Sequence, residues 1–88
     1  MIDLQTYSER IGIAQNEILT ECRKSELVTA RQVYFFYLKT IGYTLHEIGR
    51  IFDKDHSTVY YGIGKVKDWL SINDKYLEKY LDAIDYKH

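Results

Sequence analysis

Residues 45–59 have the sequence LHEIGRIFDKDHSTV, in which a polar segment of mixed charge separates two apolar segments. Thr44 directly precedes this stretch, and Glu47 lies three residues after Thr44, which is the spacing of a capping box at a helix start. Asp55 is a typical N-cap residue for a second helix. Two helices joined by a tight polar turn form a helix-turn-helix, and the stretch therefore predicts this motif.

Three glycines fall within the two predicted helices. Gly49 lies on the inner face of the first helix, where we expect it to let the second helix cross closely. We expect Gly62 to permit close helix packing in a similar way. Gly64 faces outward, and because a glycine inside a helix costs about 1 kcal/mol relative to alanine, its presence has no explanation in the sequence.

Apolar residues recur at helical spacing along almost the whole chain, and strand-like alternation is absent. We expect Asn16 to cap the second helix and Gly42 to end the third. The predicted fold is an all-α, six-helix bundle of the Trp-repressor-like type, formed by residues 1–88 as one domain. The six predicted helices are one ending near Gly12, a short one within 13–22, a long one after a polar break at 23–26, the two of the helix-turn-helix, and one capped by Asn73.

The residues predicted to be buried lie along one face of each helix. Trp69 is expected at the edge of this core rather than at its centre. The predicted core residues include Ile18, Leu19, Ala30, Val33, Tyr34, Tyr37, Leu38, Ile41, Leu45, Ile48, Gly49, Phe52, Val59, Ile63, Val66, Leu70, Leu77, Tyr80, Leu81 and Ile84.

The length and composition of the chain limit the classes of protein to which it can belong. The chain has 88 residues, 45% of them hydrophobic, which suffices for one core. Cys22 is the single cysteine, so an intrachain disulfide and a zinc-ribbon site are excluded. The amino-terminal residues have no signal-peptide pattern, and no apolar run approaches the ~18 residues of a membrane span. We therefore expect a cytoplasmic protein that has no membrane partner.

Catalytic and cofactor motifs are not apparent. His46, His56 and His88 do not have metal-ligand spacing, and we expect neither a metal nor a cofactor. The segment from Gly62 to Lys65 lacks the spacing of a phosphate-binding loop. Consecutive Asp, His and Ser residues do not form a catalytic triad by adjacency. An enzyme with a small-molecule substrate is therefore not expected.

Charge is distributed unevenly along the chain. The formal net charge is −1. Residues 23–67 nevertheless contain eight Lys and Arg against four Asp and Glu, a net charge of +4, and both flanking segments are acidic. A basic middle between acidic ends suits an anion-binding face, although charge alone fits a coincidental spread over a solvated surface equally well.

The outward side of the second helix in the predicted motif is polar. Ser57, Tyr61 and Lys65 recur there at four-residue spacing, and Thr58 lies beside them. Such a helix can enter the major groove of DNA with its amino-terminal residues at the base edges. Taken singly, Asp55 has a simpler role as a helix cap, and His56 is as well explained as a solvated turn residue. Together they favour a nucleic-acid contact.

Three segments resemble the C-terminal DNA-binding domain of the bacterial replication initiator DnaA family. Residues 53–59, DKDHSTV, are similar to its Gly-Arg-Asp-His-Thr-Thr-Val-like signature. Residues 45–52, LHEIGRIF, resemble its Leu-Pro-Glu-Ile-Gly-x-x-Phe segment, and residues 30–33, ARQV, resemble its Arg-Gln pair. The resemblance covers about residues 5–85 and implies that the partner is double-stranded DNA at a replication origin.

The resemblance also implies roles for individual residues. Asp55, His56, Ser57 and Thr58 would contact bases in the major groove, and Arg31 would contact the adjacent minor groove. The resemblance, together with the distribution of charge and the polar face of the second helix, predicts the contacts to the DNA backbone. The residues expected to make them are Arg23, Lys24, Lys39, His46, Lys54, Tyr61 and Lys65.

This chain departs from the family pattern at several positions. His46 replaces a proline, Lys54 replaces an arginine, and Ser57 lacks the methyl group of the usual threonine. These changes bear on the base sequence preferred more than on DNA binding itself. The phosphate-binding loop of the initiator's ATPase is missing, so we expect a free-standing DNA-binding module, with a domain excised from a longer protein as the alternative.

Two other functions fit the same predicted fold. A protein-interaction module, with a replication or transcription protein as its partner, would use an aromatic surface formed by Tyr34, Phe35, Tyr37, Tyr60 and Tyr61. A dimeric transcriptional regulator would use the helix-turn-helix on two half-sites.

Overall fold

A computed structural model of the chain describes residues 1–20, 23–72 and 75–86. These residues form six α-helices and one 3₁₀ turn, and they contain no strand, which confirms the all-α prediction. The helices are α1 (Leu4–Ile11), α2 (Gln15–Leu19), α3 (Ser25–Thr40), α4 (Leu45–Phe52), α5 (His56–Ser71) and α6 (Glu78–Ala83), with the 3₁₀ turn (Lys75–Leu77) directly before α6.

Local signals fix the ends of several helices. The Asp3 carboxylate accepts a hydrogen bond from the Thr6 backbone N–H at 2.8 Å and thereby caps α1. Gly12 ends that helix in the left-handed conformation, with φ of 74°, as predicted. Thr44 and Glu47 form the predicted capping box of α4: the N–H of Glu47 donates to Thr44 Oγ1 at 3.1 Å, and the N–H of Thr44 donates to Glu47 Oε1 at 2.9 Å.

The central helix of the core is α3, which packs against α5, α2, α4 and α6. Phe35 of α3 and Phe52 of α4 meet edge to face, with ring centroids 4.9 Å apart. The Tyr7 hydroxyl of α1 donates to the Ala30 carbonyl of α3 at 2.7 Å, so a buried polar group has a partner. The packing of α3 against α4 and α5 holds these two helices in place against the rest of the chain.

Several local predictions were wrong. Asn16 lies inside α2, whose N-cap is Ala14, and no side-chain hydrogen bond caps the amino-terminal end of this helix. Leu19 is 37% exposed because it ends a helix of only five residues, and Ile41 is 42% exposed because it follows the last turn of α3. The predicted polar break is shorter than expected, since α3 begins at Ser25.

Two predictions fall outside the described residues. The cap assigned to Asn73 lies there, and so does Cys22, the last residue of the range predicted to hold the second helix, although α2 itself ends at Leu19. Trp69 is partly buried at the edge of the core, as predicted, and its ring stacks on that of Tyr76 with centroids 5.3 Å apart.

Tyr34 and Tyr37 hold the amino terminus instead of forming a surface. The Tyr37 hydroxyl accepts a hydrogen bond from the Ile2 N–H at 2.6 Å, and the Tyr34 hydroxyl donates to the Ile2 carbonyl at 2.9 Å. Burial raises the pKa of Tyr34 to about 12. Since Phe35 is buried as well, only Tyr60 and Tyr61 of the predicted aromatic surface are exposed.

The turn between α4 and α5 depends on Gly49. A Cβ atom at this position would lie 2.5 Å from the Lys54 carbonyl oxygen, a distance that side chains do not tolerate. The N–H of Lys54 donates to the Gly49 carbonyl at 2.8 Å, and Asp53 ends α4 with φ of 53°. The prediction of a close crossing at Gly49 is therefore confirmed. At Gly62 a Cβ atom would lie 3.1 Å from the Phe35 ring, which confirms close packing there too.

Within the described ranges, no helix has the length and apolar character needed to cross a membrane.

Candidate nucleic-acid interface

The amino-terminal end of α5 lies at the surface. Val59, Ile63 and Val66 are buried against the core, so the opposite side of the helix faces solvent. His56, Ser57 and Thr58, at the start of the helix, are all exposed. The sequence prediction required these three side chains to be exposed, and all three are exposed in the structure.

Asp55 is the N-cap of α5, as predicted. Its Oδ2 atom accepts the Ser57 backbone N–H at 3.1 Å, and its Oδ1 atom lies 3.5 Å from His56 Nδ1. Hydrogen bonding from Ser57, by the side chain and the backbone N–H, lowers the pKa of Asp55 below its ordinary value. The carboxylate therefore stays ionised at neutral pH, with one oxygen committed to the cap and the other near an imidazole.

A first depression of about 490 Å³ lies between α4 and the start of α5. His46 and His56 face each other across it, with ring centroids 4.4 Å apart and planes inclined by 35°. Its lining contains both signs of charge and consists of His46, Gly49, Arg50, Asp53, Lys54, Asp55 and His56.

A second depression of about 280 Å³ lies between α3 and α5 and shares Lys54 with the first. Its lining carries three cationic side chains and no carboxylate. The two depressions therefore flank the first turns of α5 on either side. The residues that line the second are Arg23, Val28, Arg31, Gln32, Phe35, Lys54, Thr58 and Tyr61.

Arg31 is held against the protein rather than projecting from it. Only 8% of the residue is exposed, and its Nε atom donates to the Ile18 carbonyl of α2 at 2.8 Å. The side chain nevertheless lines the second depression beside Thr58. Arg31 and the exposed end of α5 therefore lie on the same side of the molecule.

The remaining predicted DNA contacts lie on α5 itself or at the two ends of α3. The Lys65 ammonium lies 5.5 Å from the centroid of the Tyr61 ring, one turn along the same helix face. Lys24 is the exposed N-cap of α3, next to Arg23. Lys39 is exposed in the last turn of α3 and lines neither depression.

Two lining residues that could donate hydrogen bonds to an anion, Arg50 and Gln32, were not among the contacts predicted from the sequence. Arg50 lines the first depression, four residues after His46 on the same face of α4. That four-residue spacing was available in the sequence and could have identified it. Gln32 lines the second depression next to Arg31, and only the packing of α3 against α5 indicates its position.

The site has the chemistry of anion recognition. Cationic groups, imidazoles, hydroxyls and the amino end of a 16-residue helix all converge on it. A metal site is not indicated, because no group of three or more His, Cys, Asp or Glu residues in the described part of the chain could hold an ion.

Known proteins resemble this chain over most of its length. The family described as bacterial dnaA protein helix-turn-helix matches residues 4–66. The chromosomal replication initiator protein DnaA of Mycoplasma capricolum is 35% identical over 85 residues, which covers 94% of this chain and 19% of that protein. The protein of the same name from Picosynechococcus is 30% identical over 90 residues, covering 97% and 20%. That of Pseudothermotoga lettingae is 26% identical over 82 residues, covering 92% and 18%.

The chain spans about a fifth of the length of these relatives. No solved structure matches it at a comparable level of significance. The family match covers well over half of the chain and includes α1 to α4 and most of α5. The chain therefore belongs to the family of the bacterial DnaA helix-turn-helix domain.

Proposed function

We propose that this chain binds double-stranded DNA in a sequence-specific manner, with the first turns of α5 in the major groove. The observation that carries the proposal is the exposed amino end of α5, flanked by two depressions that contain cationic side chains. The family match supports it, since the relatives are named as chromosomal replication initiators. Recognition of an origin sequence of the DnaA-box type is the specific form of this function.

We propose different roles for different side chains. Ser57 and Thr58 lie in the first turn of α5, where hydroxyl groups can hydrogen-bond base edges and the threonine methyl can contact thymine. Lys54 lies where the two depressions meet, so it is placed to neutralise a backbone phosphate on either side. Tyr61 and Lys65 continue along the same face and would contact the backbone further along the groove.

Arg31 has a structural role and a proposed DNA role together. Its bond to the Ile18 carbonyl fixes the side chain in position beside Thr58. A side chain fixed in this way loses less conformational entropy on binding than a free arm would. We infer that Arg31 contacts the adjacent minor groove from this anchored position, with Arg23 and Lys24 contacting the nearby backbone.

Selection of bound sequences from a random pool of duplexes tests the proposal directly. We expect enrichment of one short sequence. The affinity for that sequence should fall as the salt concentration rises, with a log–log slope of about −4. Each phosphate contact contributes about −0.9, and four cationic side chains are proposed to contact phosphates: Arg23, Lys24, Lys54 and Lys65. Fluorescence anisotropy at several salt concentrations gives the slope. A pool that remains random after repeated rounds, together with no salt-dependent binding, would contradict the proposal.

A protein-interaction function is the second candidate, and one observation favours it. Tyr60 is 70% exposed and Tyr61 is 62% exposed, next to each other on α5. Exposed tyrosines are enriched in protein interfaces. Replacing Tyr60 by serine separates the two functions, because a protein interface would be weakened while binding to the selected duplex would persist.

A further inference from the structure

We propose that Arg50 binds a backbone phosphate of DNA, and that the two depressions therefore receive one strand of the duplex each. The strand on the α4 side lies against Arg50, and the strand on the α3 side lies against Arg23 and Lys24. This inference rests on the proposed DNA-binding function. It adds to that function a contact that neither the resemblance to the DnaA family nor the charge pattern predicted.

Arg50 is an exposed cation on the face of α4 that borders the interface. It lies in the last turn of α4 and lines the first depression together with His46, which precedes it by four residues. Residues four apart share one face of a helix. The family pattern Leu-Pro-Glu-Ile-Gly-x-x-Phe leaves the position of Arg50 open. Arg50 therefore extends the face on which His46 is expected to contact the DNA backbone, by a residue particular to this chain.

The Arg50 guanidinium is not held by the rest of the described chain. Arg10 pairs with Asp85 at 3.3 Å, and Arg31 donates to the Ile18 carbonyl at 2.8 Å. The Arg50 side chain, in contrast, has no hydrogen bond or ion pair with any described residue. A guanidinium presents its N–H donors in a fork that matches two oxygens of one phosphate. The donors of Arg50 are therefore available to an outside anion.

Two carboxylates near Arg50 are already held by helix caps. Glu47 lies three residues before Arg50 in α4, and its carboxylate accepts the Thr44 N–H at 2.9 Å. Hydrogen bonding with Thr44 lowers the pKa of Glu47, and the positive charge of Arg50 contributes less to this shift. The Asp55 carboxylate accepts the Ser57 N–H at 3.1 Å. Neither carboxylate therefore depends on Arg50 for a partner.

Arg50 also decides the net charge of the first depression. Lys54 contributes one positive charge to its lining, whereas Asp53 and Asp55 contribute two negative charges. Without Arg50 the carboxylates would be in excess and would repel a phosphate. With Arg50 the charges balance, and its long side chain can carry the guanidinium away from the two short carboxylates towards a ligand.

The positions of the two depressions match the two strands that border a major groove. In a helix-turn-helix the second helix enters the groove, and the first helix crosses the backbone beside it. The first depression lies on the α4 side of the start of α5, and the second lies on the α3 side. The His46 ring lies 4.4 Å from that of His56, which is expected at a base edge. The exposed face of α4 therefore begins directly beside the bases, where the backbone of one strand must pass.

The first test measures binding of fluorescein-labelled duplexes at several salt concentrations. Arg50→Gln should weaken binding to the selected and the scrambled duplex by the same factor, about fivefold, because a phosphate contact carries no sequence information. Arg50 would be a fifth cationic contact. The log–log slope should therefore be about −4.5 in the wild-type chain and about −3.6 in the variant.

Two further variants are the controls. Arg50→Lys keeps the positive charge, so it should keep the wild-type slope and lose no more than about twofold in affinity through replacement of the planar fork. Lys79→Gln removes the same charge from an exposed position on α6 and should change neither affinity nor slope. Urea denaturation of each variant separates the contact from a structural role, because a cation that only stabilised the end of α4 would alter the unfolding midpoint instead of the slope.

A set of duplexes with one neutral methylphosphonate each identifies the phosphate. We expect one position at which the substitution weakens binding of the wild-type chain by about fivefold but does not weaken Arg50→Gln further, because the two changes remove the same contact. The same comparison with Lys24→Gln should identify a phosphate on the opposite strand.

Three results would overturn the inference and leave the DNA-binding function intact. They are an Arg50→Gln variant with wild-type affinity and slope, a loss confined to the selected duplex, and a phosphate coupled to Arg50 on the same strand as that coupled to Lys24. An Arg50→Lys variant that loses as much affinity and slope as Arg50→Gln would also overturn it. Absence of wild-type binding to any duplex would overturn both the inference and the proposed function.

Discussion

Replacing Gly49 by alanine is expected to lower the free energy of unfolding by about 3 kcal/mol, which is the upper range for forcing an extra methyl group into a packed site. The added Cβ atom would lie 2.5 Å from the Lys54 carbonyl oxygen. This oxygen belongs to backbone and cannot turn aside as a flexible side chain can. The turn would have to open, and urea denaturation of the variant and the wild-type chain measures the loss.

The same substitution at Gly64 is the matched control. No atom would lie within 4 Å of a Cβ at Gly64, although this residue is also inside one of the two helices of the motif. Gly64→Ala should therefore raise the stability by about 1 kcal/mol through helix propensity alone. If the free energy of unfolding changed equally in Gly49→Ala and Gly64→Ala, the close crossing at Gly49 would not determine the geometry of the motif.

Opening the turn should also affect DNA binding. The displaced carbonyl belongs to Lys54, and α5 begins two residues later, at His56. The Gly49→Ala variant can be measured at a low temperature at which it is folded. There it should bind the selected duplex at least about tenfold more weakly than the wild-type chain, because a misplaced amino end of α5 loses at least one good base contact. Gly64→Ala is the comparison here as well.

The double substitution Ser57→Ala and Thr58→Ala is expected to weaken binding to the selected duplex by about 100-fold, because each base contact is worth about 1–3 kcal/mol. Binding to a scrambled duplex should change little, since the cationic groups of both depressions remain. The fold should persist, because alanine keeps the backbone N–H of residue 57 that donates the cap bond to Asp55, although the Ser57 hydroxyl's interaction with that carboxylate is lost.

Thr40→Ala combined with Ser71→Ala is the control for the loss of hydroxyl groups. Both residues are exposed. The Thr40 hydroxyl donates to the Phe36 carbonyl at 2.8 Å, and the Ser71 hydroxyl donates to the Asp68 carbonyl at 2.7 Å. This variant should bind the selected duplex as the wild-type chain does. If instead the Ser57 and Thr58 double variant kept the full preference for the selected over the scrambled duplex, these two residues would not determine specificity.

The helix-turn-helix was predictable because its signals are local. The capping box of Thr44 and Glu47, the cap at Asp55 and the close approach at Gly49 each depend on residues near one another in sequence. The exposure of His56 to Thr58 followed from the periodicity of Val59, Ile63 and Val66. Local propensity and the tertiary fold agree here, which is why a single sequence sufficed.

The errors arose where long-range packing decided the outcome. Tyr34 and Tyr37 were assigned to a surface, but their hydroxyls bond the backbone of Ile2, more than 30 residues earlier. The anchoring of Arg31 by the Ile18 carbonyl likewise joins two helices. Leu19 and Ile41 follow the helical period, yet each lies at a helix end, where periodicity no longer determines burial.

The facing of His46 and His56 could not be predicted from spacing, because the two residues are ten positions apart on different helices. Their contact depends on the angle at which α4 and α5 cross. That angle in turn depends on the close approach of the Lys54 carbonyl to Gly49 in the turn. The sequence therefore predicted the elements of the candidate site but not how its side chains are paired.

The central claim is that the exposed amino end of α5 is the surface that binds DNA. The most direct measurement is a heteronuclear NMR titration of the ¹⁵N-labelled chain with the selected duplex. We expect the largest amide shifts at residues 54–61 and at Arg31, with α1 and α6 nearly unchanged. Shifts concentrated on α6, with residues 54–61 unaffected by a bound duplex, would contradict the claim.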